Sequence, residues 1–476
     1  MSTSAELASP PLEAPSRPFG ARDRVGYMFG DLGNDFTFLL ASSYLMIYFT
    51  NVAGLSAAHV GLLFLIARFI DAFTDIGWGR FLDRHTPGRN GRFRPWIGRM
   101  AIPVAIASSL MYVPFTSGWD YGLKLAYAGV TYLLWGSVFY TTTNIAYGSM
   151  ASVLTIVPVE RASLSVFRGI GANSAGLLVS LVPPLFIYAM VDGSSELQPG
   201  RLFAVAVVFS LLAALWYVLC WANTAERVAA PTQGIEKPGL LALFRSLASS
   251  RPLLSLIAAN ILIMLASLLV GTMAAYLWLY HFNDGTLSGP AQLTSFLPGL
   301  LLSVVAARLA ARFGKKVVVT FALLGAGVLY VLLSLLHISD PWVFIGLMFV
   351  AGFGLGFYNL LIWALIGDII DAEEVRSGHR DDGTVYAVNT WARKVGQAVA
   401  GGLGGFALSA VGFRSSSSAQ STSTIDGIYM VSTLVPGLLY IAAALILLAL
   451  YPLGRRKVQE NVSVLAERRA ANDEVI

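Results

Sequence analysis

Arg68, Asp71 and Asp75 follow one another at intervals of three and four residues, the spacing that stacks side chains on one face of a helix. They lie in LLFLIARFIDAFTDIGWGRFLD, a run apolar enough to enter a bilayer. Two carboxylates four residues apart repel when both are ionised, which favours a bound cation or a shared proton at Asp71 and Asp75. Arg68 is either their counter-ion or a functional cation. Other ionisable groups have equally apolar surroundings: Asp35 in FGDLGNDFTF, Arg168 in SVFRGIGANSAG, and Arg393 with Lys394 in NTWARKVGQAV. At the centre of a lipid-embedded helix each costs roughly 2.5–3.5 kcal/mol, together a penalty on the order of 20 kcal/mol unless they pair, bind ions or face a polar interior. Asp35 is thus a candidate for a cation or a ligand. Arg168 and Lys394 have no acid in their own runs, so a substrate or a carboxylate on another helix must neutralise them. Asn144 and Tyr147 in YTTTNIAYGSM, and Asn389 and Thr390 just before Lys394, offer hydrogen bonds. Trp363 and Trp391 offer aromatic faces of the kind that suit sugar CH surfaces at half-wet sites.

The elements that must hold these groups are long helices. Of 476 residues, 56% are hydrophobic and 12% charged, against about 25% charged in a soluble domain. The apolar runs are continuous over about 20 residues rather than alternating over about 10, so an all-α integral membrane protein is expected and a β-barrel is not. Twelve spans are read at 26–51, 58–83, 95–115, 121–148, 163–190, 202–222, 252–281, 290–311, 315–337, 341–370, 384–411 and 426–452. The expected order is a disordered tail over 1–25, a six-helix bundle over 26–222, a linker over 223–251, a second six-helix bundle over 252–452 and a tail over 453–476. No basic stretch leading into an apolar core marks a signal peptide near Met1. A weak repeat, GRFLDRHTPGRNGRFRPW in one half and ARLAARFGKKVVV in the other, points to duplication. Glycines such as Gly176, Gly401, Gly402, Gly404 and Gly405 permit close helix contacts. Roughly 25 Lys and Arg fall in the tails and alternate loops and about three, Lys124, Arg201 and Arg414, in the others, so both termini are expected in the cytoplasm.

That topology also accounts for the net charge of +5, and no nucleic-acid partner is expected. The lone Cys220 excludes an internal disulfide and a cysteine-built metal site. The segment GDIIDAEEVRSGHRDDGTVY lacks the ligand spacing of calcium loops and the ligands of zinc sites. We read it as one side of a cytoplasmic charge clasp, in which Asp368, Asp371 and Arg380 face Arg84, Arg92 and Arg94 and the lock breaks in one access state. The sequence shows no nucleophile–base pair, HExxH or phosphate loop, so an enzyme is not expected.

The runs YLMIYFTNVAGLSAAHVGLLFLIARFIDAFTDIGWGRFLD, GRFRPWI and GDIIDAEEVRSGHRDDGTVYAV resemble the glycoside–pentoside–hexuronide:cation symporters of the major facilitator superfamily, the family of the melibiose carrier. The likeness covers nearly the whole chain except the tails. It implies twelve helices in two six-helix bundles (the major facilitator fold), a multi-pass protein of the bacterial inner membrane, and alternating access that couples sugar uptake to sodium or a proton. Asp35, Asp71 and Asp75 match the family's acidic positions for cation and sugar; Arg168 and Lys394 match its basic positions near them. Asn144 and Gly148 depart from the melibiose branch, which has aspartate and tryptophan there. NIAYGS, Trp363 and RKVGQAVAGG are instead similar to the glucuronide and xyloside carriers. The expectation is therefore uptake of a uronide or pentoside with a proton rather than sodium, no cofactor beyond the coupling H+ or Na+, and function as a monomer. The alternatives are a lysolipid-type or other major facilitator carrier and a non-transporting sensor.

Overall fold

The computed structural model describes residues 17–84, 88, 90–114, 118–155, 157–227, 250–377, 382–415 and 420–473. Helices begin where proline pre-sets the first turn and costs no internal hydrogen bond. Such starts open α3 (Arg94–Leu110), α6 (Pro158–Ile187), α7 (Pro199–Asn223) and α8 (Arg251–Tyr276). The remaining helices before α8 are α1 (Ala21–Leu40), α2 (Ala57–Arg84), α4 (Tyr121–Leu133) and α5 (Thr141–Leu154). After α8 come α9 (Ser288–Leu302), α10 (Ala306–Phe313), α11 (Lys315–Leu336), α12 (Pro341–Ser377), α13 (Asp382–Ala410), α14 (Thr422–Leu450) and α15 (Arg455–Asp473). Wider π turns extend α1 through Ala41–Leu45 and Tyr48–Val52, join α4 to α5 through Leu134–Tyr140, and extend α8 through Leu277–His281.

Each interval expected to span is largely helical, yet twelve crossings do not follow from length and apolarity alone. Among the described residues, Val159–Ile187, Pro199–Asn223, Arg251–His281, Lys315–Leu336, Pro341–Arg376 and Thr422–Leu450 are long and apolar enough. A seventh arises if Gly285–Leu302 and Ala306–Phe313, bent by 66°, form one span. The others are charged, like α2 with Arg68, Asp71, Asp75 and Arg80, or short, like α3 with 17 residues. The chain is also not wholly helical. The span expected to reach residue 190 stops at Ile187, and Tyr188–Val191 pairs with Ser194–Leu197 as a hairpin. Asp192 and Gly193 turn it with φ of +50° and +80°, the geometry that Asp-Gly loops favour. Helix starts at Ala21, inside the expected tail, and α15 occupies most of the expected C-terminal tail. Of the expected linker, 228–249 lies outside the described residues.

The chain divides into two compact units. The first comprises Met1–Leu55, Ile66–Ile187 and Leu197–Ile235; the second comprises Ser56–Leu65, Tyr188–Glu196 and Glu236–Ile476. Within the first, α1 packs on α6 and α7, and α3 packs on α7. Within the second, α8 packs on α13 and α14, and α11 packs on α14. Counted by expected span, both units pair first with fifth, first with sixth and third with sixth, which gives the weak sequence repeat a structural form. Where the first turns of α2 meet α13, a Cβ on Gly405 would lie 2.6 Å from the Cα of Gly61, so the close contact requires glycine as expected. Large aromatics such as Trp135, Tyr217, Trp278, Tyr429 and Tyr440 are buried, while Phe69, Phe73, Leu300 and Leu335 project outward. An apolar exterior of this kind suits lipid.

Candidate functional site

Two charged clusters form inside the first unit. In one, α6 carries Arg168, whose Nε donates to Oδ1 of Asp31 at 3.1 Å. Asp31 on α1 is buried, with its side chain 7% exposed, whereas that of Arg168 is 49% exposed. The Nη atoms of Arg168 make no hydrogen bond among the described residues. The guanidinium lies 5.5 Å from the centroid of the Tyr147 ring, within cation–π range. Tyr147 is buried and stacks on Tyr27 at 4.5 Å, and its hydroxyl donates to the Tyr27 carbonyl at 2.9 Å. A Cβ on Gly30 would fall 2.4 Å from the Tyr147 ring, so only glycine lets the ring lie against α1. Tyr147, expected as a lining residue, is instead the floor beneath Arg168, with its hydroxyl already engaged.

Asp35 is one helical turn from Asp31 and half-buried, with no hydrogen bond or ion pair among the described residues. It lies in the fields of both Asp31 and Arg168. Asn34 between them is buried and accepts from the Tyr217 hydroxyl at 2.8 Å. Asn144 and Gly148, on α5, are exposed.

The second cluster is built on α2. Arg68 Nη1 meets Asp71 Oδ2 at 3.3 Å, so Arg68 is the counter-ion of Asp71. The other carboxylate oxygen of Asp71 accepts from the Ser137 hydroxyl. Ser137 belongs to the π segment Leu134–Tyr140, and widened turns of this kind recur at functional sites. Asp75 lies one turn further along α2 and within the field of Arg68. Phe38 connects the clusters: it sits under Arg68 at 5.5 Å and stacks on Tyr140 at 5.9 Å. Tyr140 in turn lies within electrostatic reach of Asp35, Asp31, Arg68 and Arg168. The three acids expected as a cation site are thus divided, with Asp35 beside Asp31 and Arg168, and Asp71 and Asp75 beside Arg68. Among the described residues no three His, Cys, Asp or Glu side chains converge as metal ligands.

Trp363 on α12 is 48% exposed. The side chains of Asn389, Thr390, Trp391 and Lys394 on α13 lie outside the described residues, as do those of Arg84 and Arg380. Of the described clasp residues, Arg92, Arg94 and Asp368 have partners within their own units. Arg92 Nε donates to the Leu82 carbonyl at 2.8 Å and Arg94 Nε to the Trp221 carbonyl at 2.5 Å. Asp368 is buried and pairs with Lys315 at 2.5 Å, and Asp371 is half-buried.

Sequence reasoning missed three functional-looking groups. Asp31 had a signal, since it precedes Asp35 by four residues. Ser137 had none. Glu226 reads as a loop acid, yet its buried carboxylate accepts the backbone N–H groups of Arg92, Phe93 and Arg94 at 2.7, 2.8 and 2.7 Å. It thereby satisfies the orphan donors that open α3.

Comparison with known proteins agrees with this architecture. The family model described as MFS/sugar transport protein matches residues 26–455. A proposed 2,3-dihydroxypropane-1-sulfonate exporter of Escherichia coli is 33% identical, over 94% of this chain and 96% of its own. A glucuronide carrier protein homolog of the same organism is 30% identical, over 96% and 97%. An isoprimeverose transporter of Lactiplantibacillus pentosus is 32% identical, over 87% and 85%. Among solved structures, a D-xylose–proton symporter matches with a TM-score of 0.62 at 14% identity, covering 90% of this chain and 97% of that one. This last likeness speaks to the fold alone.

Proposed function

Because the chain belongs to the MFS/sugar transport protein family, and is accordingly a multi-pass membrane transporter rather than an enzyme, we propose that it takes up a glycoside together with a proton by alternating access. The glycoside is a uronide or pentoside, and the geometry favours the acidic member. The observation that carries this reading is Arg168, a half-exposed guanidinium whose Nη atoms are uncommitted among the described residues while Asp35 stands beside it unpaired. A carboxylate or sulfonate on a sugar matches the planar fork of an arginine. Asp35 then carries the proton, and Asn144 on α5 supplies a hydrogen bond to the sugar. Lys394, Asn389, Thr390, Trp363 and Trp391 are our proposed sugar contacts of the second unit. Asp71 and Asp75, held by Arg68 and Ser137, form a second acidic position through which the cation is coupled. Support also comes from relatives named for a glucuronide and for a polyol sulfonate. The chain resides in the bacterial inner membrane with both termini in the cytoplasm and works as a monomer. Asp368, Asp371 and Arg380 of the second unit and Arg84, Arg92 and Arg94 of the first are our proposed gate residues.

The test is binding of labelled methyl glucuronide to the purified protein, with sulfoquinovose, isoprimeverose and melibiose as competitors. The acidic sugars should compete at least tenfold better than melibiose, a difference of about 1.4 kcal/mol, and Arg168→Gln should remove that preference. Equal competition by the neutral sugars in both proteins would contradict the reading.

A further inference from the structure

Asp31 has no role in the reading above, yet it is the residue most tightly bound to Arg168. It is buried, and among the described residues its ion-pair partner is Arg168. Around it lie Tyr27 and Asp35 on its own helix, Arg168 on α6, Tyr147 on α5, Tyr140 in the π segment, and Tyr217 on α7. Of these, Arg168 alone is cationic. With Asp31 and Asp35 both ionised the group carries two negative charges against one positive charge. If Arg168 is withdrawn, Asp31 becomes a buried carboxylate with no ion-pair partner among the described residues, four residues from a second carboxylate. A group in that position neutralises rather than remaining charged. Arg168 is also the member of the pair that reaches the open space, so an incoming anion meets it first.

We propose that Arg168 is exchanged between two anions: Asp31 holds it in the empty site, the acidic group of the substrate takes it on binding, and Asp31 then accepts a proton. The proton comes from the aqueous phase. One O–H bond forms at the Asp31 carboxylate and no covalent bond breaks in the substrate. The site gains one negative charge with the sugar and one positive charge with the proton, so the exchange adds no net charge. By linkage, substrate binds more tightly as pH falls through the range in which the released Asp31 titrates. This inference rests on the proposed acidic substrate, but it fixes Asp31, rather than Asp35 alone, as the residue that ties proton to sugar.

Two measurements on the purified full chain in lipid nanodiscs test it. Infrared difference spectra need no substrate. At neutral pH, Arg168→Gln should gain a protonated-carboxyl band, which disappears in Arg168→Gln/Asp31→Asn and persists in Arg168→Gln/Asp35→Asn. Arg168→Lys keeps the cation, should lack the band, and controls for misfolding. No band, or a band that vanishes with Asp35 and survives loss of Asp31, overturns the proposal whatever the substrate. The second measurement is proton uptake from weakly buffered medium when methyl glucuronide is added. Asp31→Asn should bind the sugar while taking up about one proton fewer per sugar than wild type does. Unchanged uptake in Asp31→Asn overturns the proposal. If methyl glucuronide fails to bind wild type, the acidic-substrate reading fails, and the infrared arm still decides the state of Asp31.

Discussion

A buried carboxylate is kept only where donors or a cation repay its lost hydration, and two residues here meet that condition in different ways. Asp31 does so with one guanidinium that also faces open space, which leaves the partnership exchangeable. Glu226 does so with three backbone N–H groups, which leaves it fixed. Glu226→Ala should therefore lower stability by about 2–4 kcal/mol, because those donors lose a charged acceptor. The check is the thermal midpoint in detergent against that of Glu460→Ala, whose exposed acid is paired with Arg456; equal midpoints would contradict the capping role. Arg168, Asp35, Asp71 and Asp75 were legible in the sequence because charge in an apolar run needs a reason. Glu226 was not, since its partners are backbone groups 132 to 134 residues away and leave no side-chain pattern.

At the scale of elements, the site depends on how closely α1 and α5 approach. Gly30 is the point of contact, and Gly30→Ala would drive a methyl group into the Tyr147 ring. The expected cost is about 1–3 kcal/mol. Since Tyr147 underlies Arg168, the same change should weaken sugar binding more than does Gly20→Ala, where a Cβ meets nothing within 4 Å. Equal binding by the two variants would show that the Tyr147 floor does not position Arg168. Helix positions followed from apolar runs of membrane length. The π turns did not, because a widened turn depends on local packing rather than composition; Leu134–Tyr140 reads as ordinary helix, yet it delivers Ser137 to Asp71. The hairpin after α6 had its signal in Asp192-Gly193, hidden behind a hydrophobic run that continues through Tyr188–Val191.

At the scale of the molecule, both units repeat the same helix pairings, and the distribution of Lys and Arg is the basis for the proposed common side of both termini. A chain with Cys220→Ala has no cysteine, because Cys220 is the only one. In that background Ser2→Cys and Ile476→Cys should each react with an impermeant maleimide in inside-out vesicles and not in intact cells. Labelling of either terminus in intact cells would reverse the proposed orientation. The internal repeat was only faintly legible because duplicated bundles need matching helix contacts, not matching residues.

The central claim is that sugar movement is tied to a proton through acids in the first unit, and gradient-driven accumulation in proteoliposomes addresses it directly. With an inward proton gradient, wild type should concentrate labelled methyl glucuronide above its external level, and a protonophore should abolish this. Asp35→Asn should still exchange internal for external sugar but should not concentrate it. Accumulation driven by a sodium gradient with the pH difference collapsed, or undiminished in Asp35→Asn, would contradict the account.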